Sequence, residues 1–176
     1  MSKQGKVDTV LVYEMDRQAA GFGRGFGADE PWPLPLTERH FRTRAVQVPG
    51  TVVKSYRTKT GKDSKETVRV KLRSESLEDL GRYLGIDFQL SQEGRRGRFI
   101  MTLPLPAAYE GYEPGTETRE TLEGLLGSSS LTFRFAPPFS PKQVNDGFID
   151  RRFAEVSFPL KNFLDGGRSI EWIVDW

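Results

Sequence analysis

The chain has 176 residues, with 26 basic against 24 acidic side chains, one histidine and no cysteine. That near-balance argues against a dedicated nucleic-acid binder, which ordinarily shows a large basic excess. The missing cysteine removes thiol catalysis, thiolate metal sites and disulfides together, and a lone His40 leaves no multi-histidine zinc or iron site, so neither a metal nor a cofactor is expected.

Hydrophobic residues make up only 36% of the chain, but 12 Phe, 5 Tyr and 3 Trp supply bulky rings that can carry a core short of aliphatics. A chain of this length buries roughly 70% of its unfolded surface, enough for one domain over residues 1–176 without staples. No run approaches the roughly 20 apolar residues of a membrane-spanning helix. Val10–Tyr13, preceded by Asp8, is too short for the apolar part of a signal peptide.

In chain order, Val7–Met15 reads as a strand with apolar residues on both faces, Val10 and Val12 on one and Leu11 and Tyr13 on the other, which suits a central position. Asp16–Ala20 predicts a helical turn. Gly21–Gly27, the run GFGRGFG, is too rich in glycine for a regular element. Pro31, Pro33 and Pro35 stiffen the chain around Trp32, so residues 21–36 form a Gly/Pro-rich loop. Thr37 caps a short helix over Glu38–Val46, with Phe41 and Ala45 inward, and Val48 just beyond it also facing inward. Pro49–Gly50 turns the chain into a strand over Thr51–Arg57, and Lys59–Lys65 is a polar hairpin connection.

The plainest pattern lies over Glu66–Leu105. Val68, Val70 and Leu72 alternate with Arg69, Lys71 and Arg73 as a strand with one dry face. Ser74 and Ser76 offer hydroxyls to cap a helix whose stripe is Leu77, Leu80, Tyr83 and Leu84, and Gly85 ends it. Ile86, Phe88 and Leu90 alternate again, Glu93–Gly97 is a turn, and Phe99, Met101 and Leu103 return as a strand. Residues 104–115 predict an ordered loop with exposed rings, and Glu117–Leu126 a third helix. Leu131–Phe135 is a strand that Pro137–Pro138 prevents from continuing. Residues 139–150 read as a long connection to a strand over Arg152–Phe158, with Ala154, Val156 and Phe158 on one face. Pro159–Leu164 predicts one helical turn, Gly166–Gly167 a further turn, and Ile170, Trp172, Val174 and Trp176 a final strand. The sum is α+β, with about eight strands in an antiparallel or mixed sheet and about three helices.

No stretch carries a recognisable reaction. In GFGRGFG the sixth position counted from Gly21 is Phe26 and no helix follows, so the dinucleotide fingerprint fails. No nucleophile elbow or zincin helix is present, and the expected protein is not an enzyme. Two surfaces remain. Arg95, Arg96 and Arg98 gather at one hairpin turn, with Lys54, Arg57, Lys59, Lys62 and Lys65 on the neighbouring one, and the two tips would form one cationic rim if they shared an end of the sheet. Such cations ordinarily protect sheet edges, and contact with an anionic lipid or polyanion is the alternative. The second surface is aromatic: Phe22, Phe26, Trp32, Tyr109 and Tyr112 occupy the two least regular loops. They would flank an apolar groove for an acyl chain or peptide, with the arginines steering anionic head groups.

The stretches VDTVLVYEM, WPLPLTERHFRTRAVQVPG, VRVKLRSESLEDLGRYL, LTFRFAPPF and IEWIVDW, spread over nearly the whole chain, resemble a group of bacterial envelope lipoproteins, the LppM-like type and in particular its spirochaete members. That resemblance implies a non-catalytic ectodomain tethered in the periplasm or outer envelope by a lipidated cysteine ahead of residue 1, with lipid or another apolar or anionic ligand as partner and no specific nucleic acid. It transfers no functional residue. The second reading, cytosolic if residue 1 is the native start, is an RNA- or polyanion-binding protein using the basic hairpins and GFGRGFG. A small hydrolase with unrecognised carboxylates is the third.

Overall fold

A computed structural model describes residues 5–17, 37–61, 65–104, 120, 123–124, 127, 129–159 and 169–176. Strand β1 (Val7–Asp16) is followed by helix α1 (Glu38–Gln47), β2 (Thr51–Thr60), β3 (Lys65–Ser74), α2 (Leu77–Leu84), β4 (Asp87–Glu93) and β5 (Arg96–Leu103). Then come β6 (Ser130–Phe135), β7 (Gln143–Val144), β8 (Phe148–Asp150), β9 (Phe153–Pro159) and β10 (Ile170–Asp175). The architecture is α+β, with ten strands in two sheets: six in the order β2-β3-β1-β6-β9-β8, and four in the order β4-β5-β10-β7. Every pairing in them is antiparallel.

Strand β1 does sit centrally, between β3 and β6. Its inner face is Leu11, Tyr13 and Met15, all buried, whereas Val10 on the outer face is 46% exposed. Strand β3 alternates without a break: Val68, Val70 and Leu72 are buried and Lys65, Arg69, Lys71 and Arg73 exposed. Buried residues of both sheets form one cluster. The sheets meet where Phe99 of β5 stacks on Phe135 of β6, ring centres 4.1 Å apart, with Trp172 edge-on to Phe99 at 6.2 Å. Aromatic rings therefore carry the seam between the sheets, as the composition requires.

The helices start and stop as their caps dictate. Thr37 accepts from the His40 amide, and Ser76 accepts from the Asp79 amide at 3.0 Å. Gly85 takes the left-handed conformation that closes α2. Gly81, inside α2, leaves room for the Ile86 carbonyl, which a Cβ would approach to 2.6 Å. The two helices are tied where the buried Tyr83 hydroxyl donates to the Phe41 carbonyl oxygen at 2.8 Å.

The structure departs from the sequence reading in several places. Strand β2 runs on to Thr60, past the strand end expected at Arg57. Residues 139–150 contain β7 and β8 instead of a plain connection. Both are too short to show an alternation. Of the helical turn expected at Asp16–Ala20, Asp16 instead ends β1 and Arg17 is helical, and Pro159, expected to open a helical turn, ends β9. Residues 18–20, the loop 21–36, the aromatic loop 104–115 beyond Pro104 and residues 160–167 lie outside the described residues. So does the helix at 117–126, except residues 120, 123 and 124, which are helical.

Candidate functional site

The site is built on the turn between β4 and β5, where Gly94 takes a positive φ and Arg95 and Arg96 stand exposed. The chain leaves this turn through Gly97, which exchanges backbone hydrogen bonds of 3.1 Å with Trp176. Next to it, Arg98 does not join its neighbours. Its guanidinium donates to both carboxylate oxygens of Asp175, at 2.7 and 2.9 Å. That bond holds the Asp175 carboxyl below the ordinary carboxylate value and raises the Arg98 guanidinium above its own. Arg98 is thus a cross-strand brace between β5 and β10, and of the three arginines only Arg95 and Arg96 have no carboxylate partner among the described residues.

Arg95 lies over the ring of Phe139, 6.0 Å from its centre, in cation–π contact. Phe139 stands just past the end of β6, so the arginine turn belongs to that end of the six-stranded sheet. The same end carries the β8–β9 turn, because Phe135 of β6 pairs with Ala154 and Asp150 pairs with Phe153 across Arg151–Arg152. Two turns from different sheets therefore bring Arg95, Arg96, Arg151 and Arg152 to one end of the fold, all exposed. Among the described residues none of the four forms an ion pair with a carboxylate.

Large apolar side chains stand among them. Phe139 is 39% exposed, Phe148 54% and Ile149 37%. Arg151 holds a positive φ of 52°, a conformation that favours glycine and that a two-residue hairpin would ordinarily fill with one. The chain keeps an arginine there at a conformational cost of order 1 kcal/mol.

The other cationic hairpin is elsewhere. Lys59 pairs with Thr67, Thr67 with Glu14, and Glu14 with Ser130, the first residue of β6. The β2–β3 tip consequently lies at the opposite end of β6 from Arg95, and the single rim expected from the sequence does not form. The reason is strand direction: the β2–β3 hairpin turns back beyond the start of β6, whereas the Arg95 turn packs on Phe139 past its end. Of the predicted aromatic set, Phe22, Phe26, Trp32, Tyr109 and Tyr112 all lie outside the described residues.

Phe139, Phe148 and Ile149 escaped the sequence reading because residues 139–150 read as a connection, and Arg151–Arg152 because Arg152 read as the start of a strand and not as part of a turn. The signal that could have found them is Asp146–Gly147, a hairpin-type dipeptide whose glycine does take a positive φ. Among the described residues no group of three or more His, Asp or Glu side chains could hold a metal. A depression of about 120 Å³ lies between β10 and β7, walled by Arg98, Gln143, Asn145 and Asp175. That is well below the several hundred Å³ of a small-molecule site. What the arrangement offers chemically is an exposed surface of guanidinium and apolar groups.

Compared with known proteins, the chain matches no family model, no curated protein and no solved structure. The resemblance to LppM-like lipoproteins rests on the quoted residues.

Proposed function

We propose that this protein is a non-catalytic binding module that docks on an anionic lipid surface through the end of the fold carrying Arg95, Arg96, Arg151 and Arg152. The observation that supports this is what one end of the fold carries: four exposed arginines with no carboxylate partner among the described residues, Arg95 over the exposed Phe139 ring, and the exposed Phe148 and Ile149 on β8. A cation near an anionic leaflet is worth about 1 kcal/mol. Phenylalanine and isoleucine projecting from a turn add burial at the boundary between head groups and acyl chains, as interfacial anchors do. Neither group alone would hold the protein there, and together they match the chemistry of a lipid interface. The reading agrees with the membrane tether that the resemblance implies.

Co-sedimentation with vesicles of phosphatidylcholine, with and without phosphatidylglycerol, tests it. Wild type should bind the mixed vesicles and bind them less as salt rises, because exposed charges are screened. Replacing the four arginines by glutamine should remove the anionic preference. Phe139→Ser with Phe148→Ser should weaken binding at every salt concentration. Equal binding to both vesicle types, or variants that bind as wild type does, would remove the proposal.

A further inference from the structure

The outer face of the six-stranded sheet carries a second cationic surface on β2 and β3, at the sheet edge opposite β8. The register places Arg57 of β2 directly opposite Arg69 of β3, with Ser55 opposite Lys71 and Lys59 opposite Thr67. Arg57, Lys59, Arg69 and Lys71 are all exposed, and none has a carboxylate partner among the described residues. Like charges directly opposite on neighbouring strands are destabilising. The rest of this face avoids them: Arg73 pairs with Asp8 at 2.8 Å, and Arg134 pairs with Glu155. The Arg57–Arg69 position is therefore a local exception to a pattern that the same sheet otherwise keeps.

We infer that this track binds a single nucleic-acid strand by its phosphates, without preference among bases. Three features of the track point to that ligand. Its cations recur at every second residue along each strand, about 6.5–7 Å apart, so they form rows and not a compact pocket for one phosphate. Its border is acidic: Asp8 and Glu14 stand on the outer face of β1, beside the row on β3. A lipid plane lying on this face would meet both signs of charge, whereas a chain running over β2 and β3 meets cations alone. Finally, the outward residues of β1, β2 and β3 include no aromatic ring: Val52, Ser55, Thr67, Val10 and Val12 fill the places between the charges. Without rings there is no base stacking to add affinity, so binding rests on phosphate contacts alone and should be weak, indifferent to sequence and steeply salt-dependent.

The test is fluorescence anisotropy of labelled oligo(dT), oligo(dA) and oligo(rU) with the whole chain, over a range of salt. The three should bind alike. The slope of log affinity against log salt should be about −3, since each neutralised phosphate of a single strand contributes about −0.7. Arg57→Gln with Arg69→Gln should bring that slope to about −1.4. Arg69→Glu gives Arg57 a cross-strand carboxylate, and should raise the melting temperature while reducing oligonucleotide affinity on the order of tenfold or more. Because this variant stabilises the fold, lost binding cannot be ascribed to unfolding. The inference is independent of the lipid reading, and the same variants separate the two: Arg57 and Arg69 changes should leave vesicle binding intact, and the glutamine variant at Arg95, Arg96, Arg151 and Arg152 should leave oligonucleotide binding intact. Absence of oligonucleotide binding at low salt, a strong preference for one base, or loss of vesicle binding in the Arg57/Arg69 variants would overturn it.

Discussion

The indole of Trp176 lies directly on the backbone of Gly97, so that a Cβ added to Gly97 would fall 2.2 Å from the ring carbon Cζ2. Trp176 is only 2% exposed, and its ring also packs on Phe135 at 5.9 Å, so it cannot swing aside into solvent. This contact fixes the β4–β5 turn against the last residue of the chain. Gly97→Ala should therefore destabilise the protein by about 1–3 kcal/mol through overpacking. A denaturant titration with an unchanged slope and a lowered midpoint is the expected result. A midpoint equal to wild type would mean that the turn is not held by this contact.

Leu80 is the middle of the buried stripe of α2 and is 4% exposed. Leu80→Ala should cost about 2–5 kcal/mol, the transfer of the lost atoms plus the cavity they leave. Denaturant unfolding measures it directly, and a change below about 1 kcal/mol would contradict the burial.

Arg151→Gly should move stability and binding in opposite directions. Relief of the left-handed conformation should stabilise the fold by about 1 kcal/mol. Loss of the guanidinium should weaken attachment to phosphatidylglycerol vesicles. Melting temperature and vesicle binding, measured on the same preparation, check the two signs together.

Burial pushes the Tyr83 hydroxyl up to about 12 from 10.0. Its folded pKa is above the unfolded one, so the contribution is complete below pH 10.0 and is lost as the pH rises through about 12. Wild type should consequently lose melting temperature over that window. Tyr83→Phe should be less stable at neutral pH, having lost the hydrogen bond to Phe41, and should decline less on the alkaline side. Parallel melts of the two proteins across the window decide it.

Acid should act in the opposite sense. Hydrogen bonds from Arg73 to Asp8, from the Ser76 hydroxyl to Asp79 and from Arg98 to Asp175 hold these carboxyls below 3.8. With folded values under the unfolded one, their contribution is present above pH 3.8 and is lost as the pH falls through the lower folded values. The arginines that pair with these carboxylates are exposed to water, so each contribution is small and falls with salt. Asp175→Asn should shallow the acid decline in melting temperature.

The sequence by itself determined the local elements wherever a period could be read. The alternation of Val68, Val70 and Leu72, the Ser76 cap and Gly85 stop, and the face shared by Ala154, Val156 and Phe158 all appear in the structure at the expected residues. These features depend on neighbours in the chain, through capping hydrogen bonds and the two-residue pleat, so a window of ten residues contains the information. Strands of two and three residues, such as β7 and β8, are too short for a period, and the ladder of β7 comes from a distant partner in β10. The division into two sheets was also beyond local reading, since it is decided by which buried faces pack together, Phe99 against Phe135 above all. That division set the fate of the charges. Arg98 met Asp175 across a non-local ladder and became a brace, whereas Arg95 and Arg96 met Arg151 and Arg152 from a different sheet. Pairing across 77 residues is a tertiary event, and no spacing along the chain encodes it.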